Sequence, residues 1–135
     1  MRRFVQVPVI LIVALTLLAL AAPAATAADG FRGTWTSTDT DLSNQTLWIN
    51  GSGQTGRYAV SLYDDAASQA CGGAPARAQG SGWAEGDTLY WGGTVTCPGT
   101  GRGPVTGRIG IAALMYDADT DTLIDDAGIV WYRQA

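Results

Sequence analysis

Glycine recurs along the whole chain after Asp29 and divides it into short segments. The sequence has 18 glycines, and the segments between them are rich in Thr, Val, Ile, Trp and Tyr and often alternate polar with apolar residues. Such alternation places every second side chain on one face of a strand, whereas an amphipathic helix needs apolar residues three or four positions apart. No segment after Asp29 shows the helical pattern over helix length. The sequence therefore predicts an all-β domain with frequent turns.

Eight strands are predicted, and most of the connections between them have the length of a hairpin. Consecutive strands should therefore pair antiparallel as a meander. Closure of eight such strands into an up-and-down barrel removes exposed sheet edges. We predict one barrel domain over residues 28–135, with a β-sandwich as the alternative. The predicted strands are 31–37, 45–50, 57–63, 76–83, 88–97, 105–116, 121–125 and 129–133.

The N-terminus has the composition of an export signal. Two arginines precede an apolar run at 4–20, and the small residues of Ala25-Thr26-Ala27 suit a signal peptidase. An uncleaved membrane anchor is the alternative, because the run approaches the length of a spanning helix. We expect residues 1–27 to be removed and the domain to be secreted or periplasmic, without membrane association. The lack of Lys and the abundance of Arg and Ala are typical of a bacterial protein.

The chain contains two cysteines, Cys71 and Cys97. In a small exported domain two cysteines most simply pair with each other. We therefore predict one Cys71–Cys97 disulfide, which should stabilise the fold by about 3–4 kcal/mol through loop closure.

The charge of the predicted mature domain restricts its partners. After Ala27 the chain has six Arg against eleven Asp and one Glu, a formal charge of −6, and it has no Lys or His. An acidic domain repels phosphate backbones and anionic lipid headgroups. We expect a small molecule or another protein as the partner, and no nucleic acid.

The same composition argues against catalysis. Without His or Lys, a Ser nucleophile lacks an ordinary base, and most zinc sites and Schiff-base chemistry are excluded. The acidic pairs 64–65 and 125–126 are neighbours in sequence, so on a strand their side chains point to opposite faces. The run 117–121 alternates oxygen ligands but lacks the Gly and Glu of a calcium loop, and it is predicted to be a turn. We expect no catalytic residue, cofactor or metal site.

Five tryptophans and five tyrosines are a large aromatic content for one small domain. Trp35, Trp91 and Trp131 lie in alternating strands and are predicted to fill the core. Trp48 and Trp83 lie near turns and are predicted to be the more exposed pair. We therefore interpret the aromatic residues mainly as core residues, with a ligand-stacking or interface surface as the alternative.

Two short motifs lie at the ends of the domain, Gly33-Thr34-Trp35 on the first strand and Val130-Trp131-Tyr132-Arg133 on the last. These motifs resemble those of the calycin barrels, the group of lipocalins and avidins. In that group the Trp plugs the closed end of the barrel and the Arg lies across its face. The resemblance thus implies that Arg133 packs on Trp35, an arrangement in which a guanidinium keeps its hydrogen bonds while covering the ring.

Within this group, the order of short motifs is most similar to that of avidin. After Gly33-Thr34-Trp35 come Ser43-Asn44-Gln45-Thr46, Gly56-Arg57-Tyr58, Thr88-Leu89-Tyr90-Trp91 and Val105-Thr106-Gly107. In avidin-like proteins the matching Ser and Tyr bind the ureido oxygen of biotin, and tryptophans pack on its rings. The resemblance implies ligand contacts at Ser43, Tyr58 and Trp91. The chain departs from the pattern at Val105, where the family has an aromatic residue.

The function predicted from these features is that of an exported binding module with a small-molecule site at the barrel mouth. The alternative is a secreted protein-interaction or hydrolase-inhibitor domain with a filled core, and an Asp-based hydrolase is the least favoured. A cavity of roughly 300 Å³ or more would favour the small-molecule site.

Overall fold

The structure, a computed structural model, describes residues 30–98 and 107–135, with the backbone alone at Arg108. The predicted signal at 1–27, and the departure at Val105, lie outside these residues. Within them, no helix has the length and apolar character needed to cross a membrane. The described elements are β1 (Gly33–Thr38), β2 (Asn44–Ser52), β3 (Arg57–Ala67), α1 (Ser68–Cys71), β4 (Ala74–Glu85), β5 (Thr88–Thr96), β6 (Gly107–Asp117), β7 (Thr122–Asp125) and β8 (Val130–Arg133).

The eight strands form a closed antiparallel barrel in chain order, and β8 pairs with β1. This confirms the predicted meander barrel, and the sandwich alternative is wrong. The closing seam is short, because β1 and β8 pair only through Trp35↔Arg133 and Thr36↔Tyr132. Beyond these pairs, the Ser37 hydroxyl donates a hydrogen bond of 2.9 Å to the carbonyl of Val130.

The main departures from the predicted elements lie between β3 and β4. The third strand was predicted to end at 63, but β3 continues to Ala67, and Asp64 pairs with Ala76 across the ladder. The register then shifts between Asp64 and Ala67, which allows the strand to bend. The helix α1 was not predicted, because four residues are too few to show a helical period.

On β2, the alternation of apolar and polar residues corresponds to side chains that point alternately into and out of the barrel. Gln45, Leu47 and Ile49 are buried, while their neighbours Asn44 and Trp48 are exposed. The predicted sorting of the tryptophans is also confirmed. Three of them, Trp35, Trp91 and Trp131, are buried, whereas Trp48 and Trp83 are 39% and 40% exposed.

One end of the barrel is filled by aromatic rings. The ring of Phe31 lies 5.9 Å from that of Tyr58 and 6.0 Å from that of Tyr116, measured between centroids. The indole N–H of Trp35 donates a hydrogen bond of 2.9 Å to the carbonyl of Phe31. The guanidinium of Arg133 lies 4.0 Å from the centroid of Trp35. We call this end, with its packed rings, the closed end.

The predicted disulfide is present at the opposite end, which we call the open end. It joins Cys71, at the end of α1, to Cys97, the residue after β5, with a Cα–Cα distance of 5.6 Å. It therefore links the β3–β4 connection to the end of β5.

Candidate functional site

A cavity of about 380 Å³ enters the barrel at the open end. Its mouth is surrounded by the β1–β2 connection, by α1 and by the β7–β8 turn. Its inner wall is mostly apolar, and its large apolar side chains include Leu47, Leu62, Trp91, Leu114 and Trp131. The barrel is thus filled at one end and hollow at the other.

Small side chains explain why the open end is not filled. Ala67 on β3 and Ala112 on β6 both line the cavity, and neither reaches far from the wall. At the closed end, the corresponding space is occupied by Phe31, Trp35 and Tyr116. An eight-stranded barrel encloses enough space for either a packed core or one small ligand, and the side-chain sizes decide between them.

Five carboxylates line the cavity, at Asp39, Asp41, Asp64, Asp125 and Asp126. Asp41 accepts hydrogen bonds from the backbone N–H of Ser43, at 3.1 Å, and from both the hydroxyl and the backbone N–H of Ser68. This hydrogen bonding, chiefly that from the Ser68 hydroxyl, holds the pKa of Asp41 well below its usual range. Asp41 therefore joins the β1–β2 connection to α1 as an ionised group.

Gln45 lies beneath this rim, pointing inward from β2. Its Nε2 atom donates hydrogen bonds to Oδ2 of Asp39, at 3.0 Å, and to Oδ2 of Asp64, at 3.2 Å. Gln45 and Asp64 are only 8% and 6% exposed. One neutral amide thus separates two carboxylates that converge on the cavity.

Trp131 and Asp125 form a second polar contact at the cavity wall. The indole N–H of Trp131 donates to Oδ2 of Asp125 at 3.2 Å, while Oδ1 of Asp125 accepts the backbone N–H groups of Ala127 and Ile129. These bonds orient the Trp131 ring and close the β7–β8 turn. A buried indole N–H normally requires such an acceptor.

The three residues for which the avidin resemblance implied ligand contacts lie in different parts of the barrel. Trp91 lines the cavity. Ser43 is buried at the same end, in the β1–β2 connection, but is not among the residues that line the cavity. Tyr58 packs on Phe31 in the closed-end core. Only Trp91 of the three therefore faces this cavity.

Several cavity residues were not singled out from the sequence as a site. Asp39 belonged to no motif, and Gln45 lay in the Ser43-Asn44-Gln45-Thr46 motif without an assigned role. Asp64 lay between two predicted strands, and Trp131 was assigned to the core. One signal was present: Gln45 occupies the same face of β2 as Leu47 and Ile49, so alternation alone places a polar amide inside the barrel. A buried polar side chain on an apolar face is a useful indicator of a site.

At the closed end, Arg133 also connects the last strand to the β6–β7 turn. Its Nε atom lies 2.8 Å from Oδ2 of Asp121, and the hydroxyl of Tyr116 donates to Oδ1 of Asp121 at 3.1 Å. Arg133 holds the pKa of Asp121 below its usual value. Asp117 accepts the backbone N–H of Asp119 at 2.9 Å, as in the predicted turn.

Comparison with known protein families, curated proteins and solved structures finds no match for this chain. Within residues 30–98 and 107–135, no group of three acidic or cysteine side chains is arranged to hold a metal ion. What the fold and the site define is therefore an architectural class: a closed eight-stranded antiparallel barrel with an acidic cavity at its open end.

Proposed function

We propose that this protein is an exported small-molecule-binding barrel, whose ligand enters the open end and packs against Trp91 and Trp131. The supporting observation is the cavity of about 380 Å³, which combines an apolar wall with polar groups at its mouth. Binding sites for small molecules commonly have this combination and a volume of about 300–1,000 Å³. Export is supported by the Cys71–Cys97 disulfide, since such bonds persist in oxidising compartments.

A binding role fits the site better than hydrolysis does. A glycosidase needs two carboxyl groups that face each other across the substrate. Asp39 and Asp64 do converge, but the amide nitrogen of Gln45 lies between them and hydrogen-bonds to both. This arrangement leaves no space for a scissile bond between these two carboxylates.

The calycin resemblance supports the same proposal at a coarser level. The closed eight-stranded meander and the packing of Arg133 on Trp35 agree with it. Biotin itself is not proposed as the ligand, because Tyr58 lies in the closed-end core and Ser43 is not among the residues that line the cavity.

A role in protein binding is a second candidate, favoured by aromatic side chains on the outer wall. The rings of Trp83 and Tyr90 are stacked, with centroids 5.6 Å apart, and Trp83 is 40% exposed. Exposed aromatic residues of this kind are frequent in protein interfaces. This surface is separate from the cavity, so the two roles are compatible.

Native mass spectrometry of the protein purified from its own host tests the small-molecule proposal. We expect a non-covalent ligand mass on the wild-type protein and its loss from an Ala112→Leu variant, because the larger side chain would occupy the cavity. The matched control is Ala59→Leu, at an exposed position of β3, which should retain the ligand. Thermal unfolding should confirm that both variants are folded.

Two results would contradict the proposal. One is a wild-type protein that carries no ligand and binds no small apolar probe. The other is a folded Ala112→Leu variant that retains the ligand as well as Ala59→Leu does.

A further inference from the structure

The orientation of the Gln45 side chain is determined by its two acidic neighbours. Both Asp39 and Asp64 present an acceptor oxygen to the same amide atom, at 3.0 and 3.2 Å. This atom is the amide nitrogen, which carries two N–H groups and can donate to both oxygens. Oε1 of Gln45 must then point elsewhere.

Oε1 of Gln45 is buried and accepts no hydrogen bond from the residues that the structure describes. Gln45 also lines the cavity. A buried acceptor without a donor costs about 1–3 kcal/mol. A ligand N–H or O–H group that reached this amide from the cavity would satisfy its acceptor.

The charged groups of the lining are all acceptors, and its other polar side chains besides Gln45 are Thr40, Ser68 and Gln69. Asp39, Asp41, Asp64, Asp125 and Asp126 contribute carboxylates to the lining, which in the described residues includes no Arg. Among the basic side chains that the structure describes, Arg133 pairs with Asp121 at the closed end, and Arg77 lies over Tyr63, 5.5 Å from its ring centroid. The cavity is consequently a site of negative potential that the described residues do not neutralise.

From these observations we infer that the cavity binds an organic ammonium ion with a small apolar or aromatic body. The ammonium group donates to Oε1 of Gln45 and to the carboxylates of Asp39 and Asp64, and the apolar body packs against Trp91 and Trp131. This inference rests on the proposed function and specifies the class of its ligand.

An ammonium ion fits these groups better than a metal ion does. Calcium takes six to eight oxygen ligands, whereas the described residues contain no metal-binding cluster of acidic side chains. An ammonium group needs few acceptors, and its N–H groups can use a neutral amide oxygen.

The test compares three probes of similar shape in calorimetry and in tryptophan fluorescence at pH 7. They are 2-phenylethylamine, which is a cation, 2-phenylethanol, which is neutral, and 3-phenylpropionate, which is an anion. We expect the amine to bind at least tenfold more tightly than the alcohol, and the anion to bind most weakly. Calcium chloride is a fourth titrant, and we expect that it does not displace the amine at micromolar concentration.

Variants that remove one negative charge show which carboxylates cause the preference for the amine over the alcohol. Asp39→Asn and Asp64→Asn should weaken binding of the amine at least fivefold and leave binding of the alcohol within twofold. The matched control is Asp65→Asn, which makes the same charge change at an exposed carboxylate bonded to Asn44. It should leave both affinities within twofold. If Asp64→Asn does not fold, Asp39→Asn, at a half-buried position, still tests the inference.

Failure of this inference is distinguishable from failure of the proposed function. If the alcohol binds as tightly as the amine, or if the host ligand is neutral or anionic, the ammonium inference is overturned while the cavity remains a binding site. A loss in Asp65→Asn equal to that in Asp39→Asn also overturns it, because the effect would then be long-range. If no probe binds and no host ligand is found, both proposals fail.

Discussion

Arg133 makes contacts of three chemical kinds at the closed end. It stacks on Trp35, pairs with Asp121, and donates hydrogen bonds of 2.6 Å to the carbonyl oxygens of Gly30 and Arg32. A planar guanidinium can satisfy all of these at once, whereas a lysine ammonium could not. The side chain thereby connects the start of the barrel to its last strand.

The pairing with Arg133 predicts a pH dependence for Asp121. Arg133 lowers the pKa of Asp121 in the folded state, so the pair stabilises the fold above the unfolded-state pKa, near 4. This stabilisation is lost as the pH falls below about 4 toward the lower folded-state pKa. We therefore expect Asp121→Asn to lose less stability on acidification from pH 5 to pH 2 than the wild type does.

Urea unfolding across this pH range measures the effect of the Asp121 substitution. Asp119→Asn is the control, because it makes the same charge change in the same exposed turn and should keep the wild-type acid dependence. At pH 7 the cost of Asp121→Asn should be about 1 kcal/mol or less, since Asp121 is 49% exposed. An acid dependence of Asp121→Asn equal to that of the wild type would contradict this account.

At the scale of elements, β4 and β5 leave no space for a side chain at a pair of facing glycines. Gly80 pairs with Gly93, and a Cβ atom at Gly80 would lie 1.8 Å from the carbonyl oxygen of Gly92. No side chain can be accommodated there without moving the backbone. Glycine in these strands thus serves strand packing as well as turns.

We predict that Gly80→Ala destabilises the protein by about 1–3 kcal/mol, because the strands must separate to accept the methyl group. Gly110→Ala is the matched control on β6, where a Cβ atom would meet nothing within 4 Å. It should change the free energy of unfolding by about 0.5 kcal/mol or less. Chemical denaturation measures both, and equal effects of the two substitutions would refute the steric explanation.

The strands illustrate how much of the fold could be predicted. The period of two on β2 predicted both the strand and its buried face, because alternation is a local property of the backbone. The extension of β3 to Ala67 could not be predicted, because Asp64 and Asp65 are unfavourable strand residues. Pairing of Asp64 with Ala76 on the adjacent strand overrides that preference.

At the scale of the whole molecule, the disulfide acts on the open end. It connects Cys71 and Cys97 across a sequence separation of 26 residues and thereby ties α1 to the end of β5. Gln69 and Ala70 of the same helix line the cavity. The bond therefore stabilises both the fold and one side of the proposed site.

We expect the double substitution Cys71→Ser and Cys97→Ser to lower the free energy of unfolding by about 3–4 kcal/mol, through the larger entropy of the unfolded chain. Guanidinium unfolding with and without reductant provides the measurement. Reductant should bring the wild type to the stability of the double variant and should leave the variant unchanged. A loss below about 1 kcal/mol would show that the disulfide contributes little.

The sequence by itself determined the class of fold, the number of strands, the pairing of the two cysteines and the sorting of tryptophans between core and surface. The fold class, the strand number and the sorting of tryptophans follow from the local period of two. The disulfide follows because the chain has only two cysteines. Only the tertiary structure decided that the barrel is hollow at one end and that Asp39 and Asp64 meet at Gln45. These residues come from a loop and two strands, so their contact depends on the register and curvature of the closed sheet.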